Sequence, residues 1–131
     1  MKWKTFSAHL ASTFQDLATE GHFTDVTLVS DDQIQISAHR LVLSACSPVL
    51  KDLLLNNPHP HPLLYLRGVK QQELQSILQF MYLGEATILQ ERINVFLAVA
   101  NDLDVKELSK DDESKVNNEE EVKLFVESID K

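Results

Sequence analysis

The 131-residue sequence is poor in the residues that would place it outside the ordinary globular class: it has one cysteine, three glycines and four prolines. A single cysteine excludes an internal disulfide and indicates a reducing compartment, the nucleus or the cytosol. So few glycines and prolines exclude a collagen-like or linker-like chain. We therefore expect one folded domain, since the length is sufficient to bury a core.

Long apolar runs and clusters of basic residues are also missing. The longest apolar run, residues 95–100, is far too short to cross a bilayer. Lys4, Ser7 and His9 interrupt the start of the chain, so no signal peptide is expected. The formal net charge is −8, and binding to phosphates requires clustered Lys and Arg. We predict contact with neither membranes nor nucleic acid.

The acidic residues are concentrated near the end of the sequence. Residues 111–131 hold eight acids and three bases, whereas residues 1–110 hold twelve acids and nine bases. The stretch DDESKVNNEEE has no apolar periodicity, which is typical of a solvated segment. We therefore predict a domain over residues 1–109 and a flexible acidic tail over residues 110–131.

One short part of this tail has two interpretations. Val122, Phe125, Val126 and Ile129 have the spacing of a helix. The same stretch, VKLFVE between acids, is also typical of a segment that adds a strand to another sheet. The simplest prediction is a disordered tail or a frayed helix.

Apolar spacing elsewhere predicts an α+β order of elements. Periods of three and four indicate helices, and their apolar positions are Phe6, Leu10, Phe14 and Leu17; Leu50, Leu53 and Leu54; Leu74, Ile77, Leu78 and Met81; and Ile93, Phe96, Leu97 and Ala100. FTDVTLVS and IQIS alternate and predict a hairpin, and LLYL predicts a short third strand. Ser47-Pro48 predicts a helix start.

The stretch SAHRLVLSACSP raises the question of catalysis because it contains both His39 and Cys46. Seven residues of helix would separate the two by roughly 10 Å, whereas a nucleophile and its base need about 3 Å. We therefore predict that Cys46 is a small packing residue. His59 and His61, in NPHPHP, are too few ligands for a metal site and suggest a surface loop. No phosphate-binding glycine loop is present, so we predict a protein that is not an enzyme and has no catalytic residue, metal or cofactor.

Several motifs in order resemble the BTB/POZ domain. They are HFTDVTLVSDDQIQISAHRLVLSACSPVLKDLL, then LLYLRGV, then ILQFMYLGEATI. KWKTFSAHLASTFQDL and QERINVFLAVANDLDVKEL are similar to the tramtrack subgroup of insect transcription regulators. The resemblance covers roughly residues 3–108 and implies the BTB/POZ fold, a small sheet made of a hairpin and a short third strand, flanked by a cluster of helices. Because little sequence precedes Trp3, the strand that family members exchange at this end should be short or absent.

The resemblance also implies a homodimer, or a larger oligomer, that is built on the first helix. The residues predicted for this interface are Trp3, Phe6, Leu10, Phe14 and Leu17. In family members that recruit corepressors, an Asp in the first strand and an Arg at a helix start form a charged pocket at the dimer interface, and Asp25 and Arg40 match those positions. A largely buried carboxylate is costly unless an Arg pairs with it, so the pairing is physically reasonable. We expect His39, beside them, to be a hydrogen-bonded core residue.

The function implied is self-association and partner recruitment for a nuclear regulator of transcription or chromatin. Its partners would be a second copy, other BTB proteins and corepressors, and any DNA-binding region would lie outside this chain. The alternative is a substrate adaptor of a cullin-type ubiquitin ligase, acting in the cytosol or nucleus. Adaptors of the family carry a hydrophobic-x-Glu signal before the third strand, and LLLNNPHPHP has no Glu. The sequence therefore favours the regulator.

Overall fold

The computed structural model describes residues 1–105 and 121–125. The helices of this part are α1 (Phe6–Glu20), α2 (Arg40–Cys46), α3 (Pro48–Asn56), α4 (Gln71–Leu83) and α5 (Ile93–Asp102). The strands are β1 (Val26–Val29), β2 (Gln35–Ala38), β3 (Leu63–Tyr65), β4 (Glu85–Leu89) and β5 (Glu121–Phe125). A 3₁₀ turn, Gln90–Arg92, precedes α5. The predicted α+β order is confirmed.

The three-stranded sheet has the order β2-β1-β3. β1 and β2 form the predicted hairpin, with Val26 opposite Ala38, while β3 runs parallel to β1. In the hairpin turn, Gln33 has a φ of 69°. The buried Ser30 accepts a bond from the Ile34 N–H at 3.1 Å. This fixes the turn, because a buried hydroxyl must be bonded.

The turn of the hairpin also caps helix α4. The carboxylate of Asp32 in the turn accepts a bond at 2.9 Å from the N–H of Gln71, the first residue of α4. The N-cap residue of α4, Lys70, makes no capping hydrogen bond with its side chain. The N-terminus of a helix leaves N–H groups without intrahelical partners, and a carboxylate stabilises it both as acceptor and through its charge. The hairpin turn is thereby joined to the start of α4.

The junction between α2 and α3 follows the predicted Ser47-Pro48 signal. Ser47 is fully buried, and its hydroxyl accepts from the Leu50 N–H at 3.1 Å. The same hydroxyl donates to the Leu103 carbonyl at 2.6 Å, just after α5. A single buried hydroxyl therefore caps α3 and holds the end of α5 against it.

The core lies between the three-stranded sheet and the helices. Its fully or almost fully buried apolar side chains include Val26, Leu28, Leu43, Leu50, Leu74, Ile77 and Phe96. They come from β1 and from helices α2 to α5, and burial of each such side chain contributes roughly 1.5–3 kcal/mol. The first helix contributes differently, because none of its fifteen residues is buried. No helix in residues 1–105 is long and apolar enough to cross a membrane.

A buried ion pair joins α4 to the turn before α5. Glu73 is only 2 % exposed, and its Oε2 accepts a bond from Arg92 Nε at 2.8 Å. Its Oε1 is also buried and has no hydrogen-bond partner among the described residues. Because the carboxylate is shielded from water, it depends on this one guanidinium.

The segment predicted as an acidic tail contains a strand. Residues 121–125 form β5, which pairs antiparallel with β4, so this stretch is extended and does not form the helix that its apolar spacing suggests. The interpretation as a strand-adding segment describes its backbone better. The predicted domain boundary at residue 109 lies outside the described residues and stays a prediction.

The Glu73–Arg92 pair generates a stability prediction. Arg92→Ala should lower the free energy of unfolding by about 3 kcal/mol, near the lower end for a broken buried pair because Arg92 is 30 % exposed. Glu73→Met/Arg92→Met should recover most of that loss, since no buried charge remains. Urea unfolding of both variants, with the exposed Lys51→Ala as control, measures this. A double variant as unstable as Arg92→Ala would contradict it.

Candidate functional site

The residues predicted for the charged pocket, Asp25 and Arg40, are in direct contact. Asp25 lies just before β1, where its N–H donates to the Ala38 carbonyl at 3.1 Å. Arg40 is the first residue of α2, and its Nε donates to Asp25 Oδ2 at 3.0 Å. The hairpin thus brings the strand start and the helix start together.

Asp25 is also the cap of α2. Its Oδ1 accepts a bond at 2.7 Å from the backbone N–H of Arg40, whereas the N-cap residue His39 makes no side-chain cap. The carboxylate therefore holds both the backbone and the side chain of Arg40. The sequence did not indicate this capping role, because the cap lies fifteen residues away from the helix that it stabilises.

The Asp25–Arg40 pair is partly exposed to solvent in the single chain. The side chains of Arg40 and Asp25 are 38 % and 37 % exposed, so the carboxylate is only partly buried in the single chain, and its burial at a dimer interface stays a prediction. Because the pair lies at the start of the hairpin, beside the N-terminus of α2, one side of the pair is open to solvent. Solvent screening reduces the energy of such a pair well below that of a buried one.

The environment of Asp25 favours the ionised carboxylate. Its partial burial tends to raise the pKa, but the bonds from the Arg40 backbone and guanidinium outweigh that effect. The positive charge of Arg40 acts in the same direction, and the pKa of Asp25 lies below its ordinary value. The pair is therefore charged at neutral pH.

Arg40 also reaches the loop before β3. The Nη1 of Arg40 donates a hydrogen bond to the His59 carbonyl oxygen at 3.2 Å. Its Nη2 group has no partner among the described residues, so the guanidinium can donate further bonds to a ligand. The side chain is thus held on one side and available on the other.

His39 is the centre of a hydrogen-bond network beside the pair. Its Nδ1 lies 2.7 Å from the hydroxyl of Tyr82, which also accepts a bond from the His39 backbone N–H at 2.9 Å. Its Nε2 lies 3.0 Å from the His22 carbonyl. This set is consistent when Nε2 carries the proton and Nδ1 accepts from the tyrosine. Burial raises the pKa of Tyr82, which therefore stays a neutral donor. The network agrees with the expected hydrogen-bonded histidine.

Sequence reasoning missed Tyr82 and the His59 carbonyl as members of this cluster. A signal for Tyr82 does exist, since a tyrosine on the apolar face of a helix needs a partner for its hydroxyl. The partner lies forty-three residues earlier, a separation that periodicity cannot detect. A main-chain carbonyl such as that of His59 leaves no sequence signal.

The residues predicted for the dimer interface divide into two groups. Trp3, Phe6 and Leu10 are 56 %, 46 % and 38 % exposed. Phe14 and Leu17 are half-buried, and Phe14 packs against the protein's own core, with its ring 6.1 Å from that of His39. The first three are therefore the open part of the stripe.

The exposed group has a defined arrangement. The ring of Trp3 contacts those of Phe6 and His9, each with a centroid separation of 5.1 Å. Its indole N–H donates to the hydroxyl of Thr5 at 3.1 Å. These contacts order the start of α1 while leaving more than half of the tryptophan in solvent.

The other residues considered for chemistry do not converge. The Cys46 thiol lies 3.5 Å from the Met81 carbonyl and packs at the core boundary. The imidazole of His61 bonds to the hydroxyl of Thr27 at 2.8 Å, and that of His59 accepts from the His61 backbone. No group of three or more His, Cys, Asp or Glu side chains in residues 1–105 could hold a metal ion.

The chain is similar to known proteins in both sequence and fold. The model of the BTB/POZ domain family matches residues 14–120. The chain is 44 % identical to the Drosophila melanogaster Longitudinals lacking protein-like over 110 residues, which cover 84 % of this chain and 86 % of that protein. Identity to the alpha isoform of Protein tramtrack from the same species is 39 % over 88 % of this chain, but only 14 % of that protein is covered.

Two further matches extend this comparison. The Drosophila melanogaster Sex determination protein fruitless is 36 % identical over 83 % of this chain and 11 % of its own length. Among solved structures, the BTB domain of zebrafish PATZ1 has a TM-score of 0.74 at 20 % identity, covering 83 % of this chain and 89 % of that one. The last match shows the fold alone. The chain thus spans most of one relative and a small share of the longer ones.

The contacts of Asp25 and Arg40 predict unequal effects of removing each side chain. Asp25→Ala removes the cap and the ion pair together and should lower the free energy of unfolding by about 1–2 kcal/mol. Arg40→Ala keeps the backbone bond and should cost less than about 1 kcal/mol. Urea unfolding at fixed protein concentration measures both, with the exposed Asp52→Ala as control.

The double variant Asp25→Ala/Arg40→Ala completes a double-mutant cycle, which measures the coupling between the two side chains. Because the side chains meet, the two effects should be coupled by about 0.5–1 kcal/mol. Equal effects of the two single changes would argue against the capping role. Coupling near zero would show that the ion pair contributes nothing in solution.

Proposed function

The chain belongs to the BTB/POZ domain family, and we propose that it self-associates through α1 and recruits protein partners for a nuclear regulator of transcription or chromatin. The observation that carries the proposal is the condition of α1. It has a continuous apolar stripe, yet none of its residues is buried in the single chain. The similarity to tramtrack-type relatives supports the nuclear regulator.

The geometry of α1 explains why a second copy is needed. The helix contacts α4 and β2 along its second half, where Phe14 and Ala18 pack against the core. Its first half extends the same stripe through Leu10 and Phe6 into solvent. An apolar stripe stabilises a helix only where it is covered, and a second α1 has a stripe of the same length. A two-fold arrangement would cover both stripes at once.

Trp3 strengthens this assignment. Tryptophan is among the residues most enriched at the energetic centres of interfaces. Here it is positioned by Thr5, Phe6 and His9, so little side-chain freedom remains to be lost on association. An ordered and exposed tryptophan beside an apolar stripe is well suited to a protein contact.

The Asp25–Arg40 pair is the proposed recruitment pocket. Arg40 is held by Asp25 and the His59 carbonyl, and its Nη2 makes no hydrogen bond to the described residues. A fixed guanidinium with free donors recognises carboxylate or carbonyl groups with defined geometry. The net charge of −8 agrees with a partner that is a protein and with DNA contact made by other chains or regions.

Self-association is tested by light scattering. The wild-type chain should have at least twice the 14.9 kDa monomer mass at micromolar concentration. Phe6→Asp/Leu10→Asp should weaken the association at least about a hundredfold, because it places charge where two apolar side chains are covered. These positions are exposed in the single chain, so the variant should still fold, which circular dichroism checks.

Leu55→Asp is the matched control, since Leu55 is 67 % exposed on a different helix. It should leave the mass unchanged. A wild-type chain that remains at 14.9 kDa would refute self-association, and a Phe6→Asp/Leu10→Asp variant with the wild-type mass would assign it to another surface.

Recruitment is tested separately with Asp25→Asn/Arg40→Gln. This variant should keep its oligomeric mass while its nuclear protein partners, quantified by mass spectrometry after affinity capture from a nuclear extract, fall about tenfold or more. Lys51→Gln, at an exposed position of α3, serves as the control. An unchanged set of partners would exclude the pair from recognition.

A further inference from the structure

The outer edge of β4 is a second surface, on a different element from α1. On one flank of β4, the N–H of Thr87 donates to the side-chain oxygen of Gln79 in α4 at 3.5 Å. On the other flank β4 pairs with β5, and the two form a separate two-stranded sheet. Without β5 this second flank would present unpaired N–H and C=O groups, the arrangement that accepts an additional strand.

The register of the pairing matches the residue types of the two strands. The buried residues of β4, Ala86 and Ile88, are 1 % and 3 % exposed. They lie opposite Leu124 and Val122, while the exposed Thr87 lies opposite Lys123. Positions that are apolar in β4 are therefore paired with apolar residues, and the exposed position with a charged one. A shift by one residue would break this match, so the register is specified by sequence.

The pairing of β5 with β4 is nevertheless weak enough for β5 to dissociate from the edge of β4. The contacts of β5 are concentrated on β4, and isolated two-stranded pairings are marginally stable in water. The segment between the last described residue of the domain and β5, residues 106–120, has six acidic and three basic residues. A fifteen-residue connection gives β5 an effective concentration in the range of mM at its own β4.

We propose that the edge of β4 is a strand-docking surface that the chain covers with its own Glu121–Phe125, and that the same segment of a second copy docks there when the internal strand is released. Each copy carries the complementary sequence, so exchange preserves every backbone pair. At micromolar protein the internal strand has about a thousandfold advantage in concentration. The tail is therefore a cap on the β4 edge, and it keeps dimers from joining edge to edge, a role that rests on the proposed self-association through α1.

The first test traps the pairing in the full chain. Thr87 and Lys123 are directly opposite, and opposite Cα atoms in an antiparallel pair are about 4.5–5.5 Å apart, within the range for a disulfide. Thr87→Cys/Lys123→Cys in a Cys46→Ala background should oxidise to an intramolecular disulfide, visible as a faster monomer band on a non-reducing gel. Thr87→Cys/Ser128→Cys is the control, five residues out of register.

The outcome of the trap is decisive in each direction. Preferential closure of the Thr87→Cys/Lys123→Cys pair within one chain supports the internal cap. Equal closure of both pairs, no closure, or closure only between two chains at micromolar concentration would overturn it.

The second test opens the edge. Successive N–H groups of a strand point to opposite sides, so Val122→Pro/Lys123→Pro removes one donor of the ladder whichever way β5 faces. A fluorescent peptide of residues 118–128 should bind this full-length variant at least about tenfold more tightly than the wild type. Ser128→Pro/Ile129→Pro, beyond the paired residues, should behave as wild type, and the peptide carrying the two prolines should not bind.

Light scattering on the same samples separates this proposal from self-association through α1. If the Val122→Pro/Lys123→Pro variant binds the peptide more tightly than the wild type, the docking edge is supported. This holds whether or not the variant keeps the oligomeric mass that depends on α1. Equal peptide binding by the variant and the wild type, or binding by neither, would overturn the proposal even if α1 self-association holds.

Discussion

Two carboxylates at the ends of the β1–β2 hairpin stabilise the N-termini of two helices. Asp25 accepts the first N–H of α2, and Asp32 accepts the first N–H of α4. In both helices the residue at the usual capping position, His39 or Lys70, makes no such bond. The helices are therefore positioned by the sheet, and the sheet's register determines where their apolar faces meet.

This arrangement places the proposed recruitment pocket at a rigid point. Arg40 is held because it begins a helix capped by Asp25, and His39 is bonded through its backbone and ring to Tyr82 of α4. A guanidinium on such a support loses little freedom when a partner binds. The same bonds add to the modest energy of the partly exposed ion pair and hold Arg40 in place. The carboxylate of Asp25 thus caps α2 and also positions the proposed recognition group, the Arg40 guanidinium.

Local features of the fold were predictable from the sequence, and distant pairings were not. The stripe of α1, the hairpin and the Ser47-Pro48 helix start follow from periods and caps within a few residues of each other. The resemblance alone brought Asp25 and Arg40 together, and their exposure could not be judged because it depends on how strand and helix ends meet. Nothing in the sequence distinguishes Glu73, in the first turn of α4, from an exposed acid, although packing buries it against Arg92.

The strand β5 shows the same limit in a different form. Its apolar residues have helical spacing and also alternate around Lys123, so period alone does not decide between the two structures. What decides is an available edge with matching residues, and β4 provides one through Ala86 and Ile88. A strand edge must be paired or covered to avoid uncontrolled association, whereas the α1 stripe would be stabilised by the proposed self-association. The two apolar surfaces of this small domain thus have opposite requirements. A tail in which acids flank a short complementary strand can cover the edge of β4. It does not interfere with association through α1, because it occupies β4 and leaves α1 exposed.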